Sequence, residues 1–183
     1  MVKSAYSFST KKEKIENHIL VVWVDNEAGA LARVIGLFSG RGYNIDSLAV
    51  AEVDKKKNIS RITIATSGTF QVLQQIKLQL GKLIPVHKVA DLPKNKKTLL
   101  REMALLKVVS SKVKLEKAKK LCQKYKHTIL DKTEKSFVLE VSALKKEIDE
   151  LVKKLQPLGL ASTSRTGVVA MTKGFEIYKK TKG

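Results

Sequence analysis

Val24-Asp25-Asn26-Glu27-Ala28-Gly29-Ala30-Leu31-Ala32-Arg33-Val34-Ile35-Gly36-Leu37-Phe38 and, just beyond it, Arg41-Gly42-Tyr43-Asn44-Ile45-Asp46-Ser47-Leu48 organise the rest of the chain. Residues 19–24, which lead into this stretch, form a continuous apolar run that reads as a buried central strand. Residues 30–39 read as a helix, because Leu31, Val34, Ile35 and Phe38 fall at i, i+3, i+4 and i+7 on one stripe. Gly40 and Gly42 suit its end. Residues 25–29 then sit at a helix N-terminus, where unpaired N–H groups and the positive end of the dipole favour a carboxylate. Asn26 offers both a donor and an acceptor, and Gly29 lets a ligand approach the backbone without a Cβ in the way. Such a loop suits a free α-amino acid whose apolar side chain rests on Leu31 or Ile45. Spacing alone favours a plainer alternative, in which Asp25 or Asn26 caps the helix and Gly29 only permits the turn. Gly42-Tyr43-Asn44 likewise reads as a turn with a left-handed residue.

The pattern continues outward as strand, strand, helix, strand. Residues 44–52 are strand-like, 54–58 form a polar hairpin connection, and 60–66 alternate Ile62 and Ile64 with polar neighbours. Residues 70–83 read as a second helix with Val72, Leu73, Ile76 and Leu80 on one stripe, and 86–92 as a fourth strand after Pro85. A Pro- and Lys-rich linker follows at 93–100. The order then repeats, with strands at 103–109, 128–130, 136–141, 159–163 and 168–171. Helices at 113–125 and 144–155 alternate with them, presenting Leu115, Ala118, Leu121, Cys122 and Tyr125, then Leu144, Ile148, Leu151, Val152 and Leu155. The expected architecture is α+β, two ferredoxin-like βαββαβ domains: an arm at 1–17, a first domain at 18–92, the linker, a second domain at 101–174 and a basic tail at 175–183. Helices on one face of each sheet leave the other face to be covered, so pairing of strands or faces between two copies is expected.

The 36 basic against 17 acidic residues give a formal charge of +19, and a nucleic-acid partner is the first thought. The composition argues otherwise. Arg occurs only at 33, 41, 61, 101 and 165, and aromatics make up 5% of the chain, so bidentate base readers and stacking platforms are scarce. The excess is concentrated in the second half, away from the loop above. A lysine-biased proteome solvating exposed faces accounts for it. The start of the chain has no secretory h-region and no run approaches the length of a membrane span. The expected location is the cytoplasm of a bacterium, or a plastid for an organelle-encoded chain.

Catalytic chemistry has little to stand on. His18, His87 and His127 are scattered without ligand spacing, and no P-loop, G-x-S-x-G or paired-carboxylate motif occurs. Cys122, the only cysteine, lies on an inward helix stripe and reads as core; Trp23, inside the first strand, reads as core too, and Arg33 and Arg41 as solvated helix charges. An RNA-recognition sheet shares the βαββαβ order, but the central strands here offer Ile, Val and Leu rather than exposed aromatics.

Asn26-Glu27-Ala28-Gly29-Ala30-Leu31, Arg33-Val34-Ile35-Gly36-Leu37-Phe38 and Arg41-Gly42-Tyr43-Asn44-Ile45 resemble the signature of the ACT domain found in the small, regulatory subunits of acetolactate synthase, also called acetohydroxyacid synthase. Ser60-Arg61, Gln75-Ile76 and Gln79-Leu80 through Lys82-Leu83 fit as well. Arg101-Glu102-Met103-Ala104-Leu105-Leu106-Lys107-Val108 resembles the opening of that family's C-terminal domain, and Arg165-Thr166-Gly167-Val168-Val169-Ala170-Met171 its closing strand. The resemblance implies a non-catalytic chain that forms a homodimer and binds a large subunit carrying thiamine diphosphate, Mg and FAD. It implies activation of that subunit and feedback inhibition by a branched-chain amino acid, usually valine. The effector would lie between two ACT domains, with Asn26, Ala28, Gly29, Ala30 and Leu31 matched on one side and Asn44 and Ile45 on the other. A free-standing ACT amino-acid sensor is the first alternative and an RNA-binding ferredoxin-like module the second; neither ACT reading involves nucleic acid or a membrane. The arm at 1–17, the Lys-rich loop at 54–58 and the very basic C-terminal half depart from the pattern.

Overall fold

The computed structural model describes residues 14–92 and 98–174. In the first half, β1 (Glu16–Asp25), β2 (Ser47–Asp54), β3 (Ile59–Gly68) and β4 (Val86–Leu92) form an antiparallel sheet in the order β2-β3-β1-β4, with α1 (Ala30–Ser39) and α2 (Phe70–Leu80) packed on one face. Alternation along β1 sorts its side chains. Leu20, Val22 and Val24 point at the helices and meet Val34 and Phe38 of α1 and Leu73, Ile76 and Leu80 of α2. Each such buried side chain contributes about 1.5–3 kcal/mol relative to an exposed one.

The second half repeats the plan. β5 (Thr98–Val109), β6 (His127–Lys132), β7 (Ser136–Ala143) and β8 (Leu160–Arg165) lie in the order β6-β7-β5-β8, covered by α3 (Lys112–Cys122) and α4 (Lys145–Leu155). The fold is thus α+β with two ferredoxin-like units, as expected.

Several expectations shift in detail. The strand expected from residue 44 begins at Ser47, because Asn44 bonds its side chain to Asp46 at 2.6 Å and yields its carbonyl to the Thr66 hydroxyl, also at 2.6 Å. The helix expected to reach 83 stops at Leu80, where Gly81 caps it and the N–H groups of Lys82 and Leu83 reach back three residues. Glu16 and Asn17, read as arm, are the first residues of β1, and Thr98, Leu99 and Leu100, read as linker, begin β5. Residues 1–13, 93–97 and the tail at 175–183 lie outside the described residues.

The last strand is the larger correction. β9 (Val169–Thr172) does not close the second sheet; it pairs with Thr98–Arg101 at the start of β5. Together these segments lie over the outer face of the first sheet, where Val168, Ala170 and Leu100 pack on Ile19, Val21, Ala65 and Leu92. The chain therefore covers part of its own open sheet face, a task expected of a second copy. Trp23, expected in the core, packs against this outer-face cluster. By parity with Val21 it points outward rather than into the helix-side core, half-buried between the Arg61 guanidinium (5.6 Å to the ring centroid) and the Lys88 ammonium (5.4 Å). Burial lowers the Lys88 pKa from its ordinary range.

Cys122 is buried in the second core, and burial pushes its thiol from 9.0 up to about 11. The unfolded chain ionises this thiol first, so its contribution to stability is intact below pH 9.0 and is lost as pH rises to about 11. Denaturant titration should show the wild-type chain losing about 2–3 kcal/mol more than Cys122→Ala across that window.

Candidate functional site

Residues 25–29 leave the end of β1 and are held from three sides. The N–H of Asp25 donates to the Pro85 carbonyl at 2.8 Å, and the N–H of Asn26 donates to the Asn58 carbonyl at 2.7 Å. The Asn58 side-chain amide returns a bond to the Asn26 carbonyl at 3.2 Å, and the Ser60 hydroxyl donates to Asn26 Oδ1 at 3.0 Å. Neither Asp25 nor Asn26 caps α1. The N-cap is Gly29, at φ +85°, and no side chain bonds to the first turn. Of the plainer alternative read from spacing, the side-chain cap does not form, while Gly29 does serve the turn through its positive φ. The helix end presents its N–H groups uncapped by any side chain, beside a carboxamide that is itself fixed by the hairpin at Asn58 and Ser60.

The carboxylates flanking Asn26 are both engaged. Asp25 Oδ1 lies 2.5 Å from His87 Nε2, and Glu27 Oε1 lies 3.3 Å from Arg33 Nη1. The Arg33 guanidinium reduces the repulsion an incoming anion would meet from Glu27. Ala28 and Gly29 are exposed, Leu31 is half-buried against the first core, and Ala30 is buried in it. The Ala30 N–H bonds to the Glu27 carbonyl at 3.2 Å, so Ala30 shapes the loop from below rather than facing solvent.

Asn44 and Ile45 sit elsewhere. Both β1 and β2 run antiparallel to β3, so they run parallel to each other. Asn26 follows the end of β1 and is tied to Asn58 and Ser60, whereas Asn44 precedes the start of β2 and is tied to Thr66. From Ser60 to Thr66 along a strand is about 20 Å, longer than any free amino acid. Within one chain the two asparagines cannot hold the same small molecule.

Sequence reasoning missed Asn58, Ser60 and His87 as supports of the loop. Their only signal is register, since Asp25 pairs with Ile59 and the β4 entry runs alongside. Arg33 and Arg41, read as solvated, are exposed and bond to Glu27 and Gln79. Among the described residues no group of three or more His, Cys, Asp or Glu could hold a metal, and no helix is long and apolar enough to cross a membrane. The central outer face that RNA-recognition sheets use is covered by Leu100, Val168 and Ala170.

Residues 20–88 match the family model described as the AHAS small subunit-like ACT domain, and residues 101–174 match the small subunit of acetolactate synthase. The chain belongs to the acetolactate synthase small-subunit family. It is 37% identical over 162 residues to the acetolactate synthase isozyme 3 small subunit of Salmonella typhimurium, covering 88% of this chain and 98% of that one. It is 34% identical to the probable acetolactate synthase small subunit of Archaeoglobus fulgidus, covering 86% and 97%. The crystal structure of the small subunit from Thermotoga maritima superposes with a TM-score of 0.79 at 29% identity, over 87% of this chain and 98% of that one. The family's two matched regions coincide with the two ferredoxin-like units, so membership covers both the candidate loop and the strap formed by β5 and β9.

Proposed function

We propose that this chain is the regulatory subunit of an acetolactate synthase. Two copies pair through their ACT domains and hold a branched-chain amino acid, valine or a close relative, at the seam. The chain raises the activity of a separate large subunit and makes it subject to feedback inhibition in branched-chain amino-acid biosynthesis. Thiamine diphosphate, Mg and FAD belong to that large subunit, and the cytoplasm or a plastid is where the pair works.

The observation that carries this reading is the placement of Asn26 and Asn44 at opposite ends of one sheet. β2 is the sheet's edge, and among the described residues no strand pairs with its outer side. Antiparallel pairing of β2 with β2 of a second copy sets the start of one against the end of the other. Asn44 and Ile45 of one copy then come to the end of the sheet where Asn26, Ala28, Gly29 and Leu31 of the other lie. The helix N-terminus takes the carboxylate, the two side-chain amides share the polar ends, and Leu31 with Ile45 receives the apolar side chain. The site exists only in the dimer, which is what lets ligand occupancy report on subunit arrangement.

Reconstitution with a cognate large subunit tests the reading: acetolactate formation is measured with the chain absent, present, and present with valine, leucine or isoleucine. Stimulation by the chain and its loss on adding one of them is expected; no stimulation and no amino-acid effect would end the proposal. Asn26→Ala is expected to raise the half-inhibitory concentration about tenfold while stimulation persists, since one charge-assisted hydrogen bond contributes ~1.5–3 kcal/mol. Unchanged inhibition would place the ligand elsewhere.

A further inference from the structure

We infer that Ser47 and Gly167 form the contact through which an amino acid held at Asn44 acts on the second domain. The inference rests on the effector reading above. Asn44 is linked to Asp46 through its side chain, and the Asp46 N–H is pinned to the Ala65 carbonyl at 2.8 Å. The next residue, Ser47, opens β2, and its hydroxyl accepts a hydrogen bond from the Val168 N–H at 3.3 Å. Val168 is buried, 6% exposed, and stands at the head of β9. The effector side of the first domain therefore supplies the partner for a buried amide of the second half.

Gly167 makes the contact tight. It takes φ +77°, and a Cβ placed there would lie 3.1 Å from the Leu48 carbonyl oxygen and 3.4 Å from Ser47 Cβ. Gly167 thus lies against the Leu48 backbone and the short Ser47 side chain with no room for a Cβ of its own, and a shift at the start of β2 presses on residues 167–168. Those residues are anchored at their other side. The Thr166 N–H donates to the Met103 carbonyl at 3.1 Å, and Arg165 bonds both carboxylate oxygens of buried Glu102 at 2.7 Å and Asp149 of α4 at 2.6 Å. Motion at Ser47 is delivered to β5 and α4 rather than absorbed in a loop. A cleft of about 390 Å³ beside the contact, bordered by Asp46, Lys145 and Thr166, leaves space for that motion.

This assigns Ser47 and Gly167 a positioning role, with no part in ligand contact. The test uses the full chain reconstituted with its large subunit, with valine as the probe, and calorimetry of valine binding to the chain alone. Ser47→Ala removes one oxygen, Ser47→Thr restores the hydroxyl, and Gly167→Ala adds the Cβ. For Ser47→Ala, valine affinity and valine-free stimulation are expected to stay within about twofold of wild type, while inhibition at saturating valine weakens by about fivefold or more. Ser47→Thr is expected to recover inhibition, and Gly167→Ala to lose it. Wild-type inhibition in both Ser47→Ala and Gly167→Ala would overturn the inference while leaving the effector reading standing. So would loss of valine binding in Ser47→Ala, or a defect that Ser47→Thr does not rescue. Wild-type chain that binds no branched-chain amino acid would instead remove the effector reading, and this inference with it.

Discussion

Gly29→Asp is expected to abolish inhibition by the amino acid at concentrations that shut down the wild-type enzyme. Two effects act together. Gly29 sits at φ +85° as the N-cap of α1, a conformation that side-chain-bearing residues adopt at a cost. A Cβ there meets nothing within 4 Å, so the variant is expected to fold, with its new carboxylate free to turn toward the helix end. That carboxylate would occupy the position proposed for the ligand's own. Two like charges about 4 Å apart at an effective dielectric of about 20 repel by roughly 4 kcal/mol, and even a screened part of this weakens binding about a hundredfold. Isothermal titration of the chain with valine measures the loss directly. Stimulation of the large subunit should survive, because the substitution falls on an exposed loop residue of the first domain and leaves the pairing of β5 with β9 intact. A Gly29→Asp chain that still confers normal inhibition would place the effector outside this loop.

Glu102→Ala is expected to cost the second domain about 3 kcal/mol. Glu102 is only 3% exposed and accepts from Arg165 Nε and Nη2, each at 2.7 Å. The bond to Glu102 raises the Arg165 guanidinium above its already high ordinary range; with the carboxylate gone the guanidinium still stays charged through its own basicity, so the loss cannot be relieved by deprotonation. Asp149 remains as a partner at 2.6 Å, and Arg165 retains some contact with water, which keeps the expected cost at the lower end of what a broken buried pair costs. Glu102→Gln, which keeps one acceptor, should fall between wild type and Glu102→Ala. Urea unfolding gives the comparison, and equal midpoints for all three would show that the pair adds nothing to stability. Because Arg165 also anchors residues 166–168, the same variants should loosen the contact at Ser47.

The helices and most strands were legible because each carries its own period. The 3.6-residue stripe of Leu31, Val34, Ile35 and Phe38 and the apolar run before it need no tertiary context to be read. Which face Trp23 takes was not legible, because an apolar run buried on both faces has no visible alternation; only the presence of β9 on the far side makes both faces of β1 internal. β9 itself carries the pattern of a closing strand, and nothing local says which sheet it joins. Ser60 and His87 escaped notice for the same reason, since what they support is brought to them by strand pairing across more than thirty residues.

Sequence alone determined the two βαββαβ units and the loop at 25–29, because periodicity and turn residues are local properties written in consecutive positions; the resemblance to the family rests on motifs that are just as local. Tertiary structure alone decided that Asn26 and Asn44 stand at opposite ends of one sheet, and that Gly167 of the second half lies against Leu48 of the first. Those are matters of register and long-range packing. They depend on the summed fit of distant side chains, which no short window of residues contains.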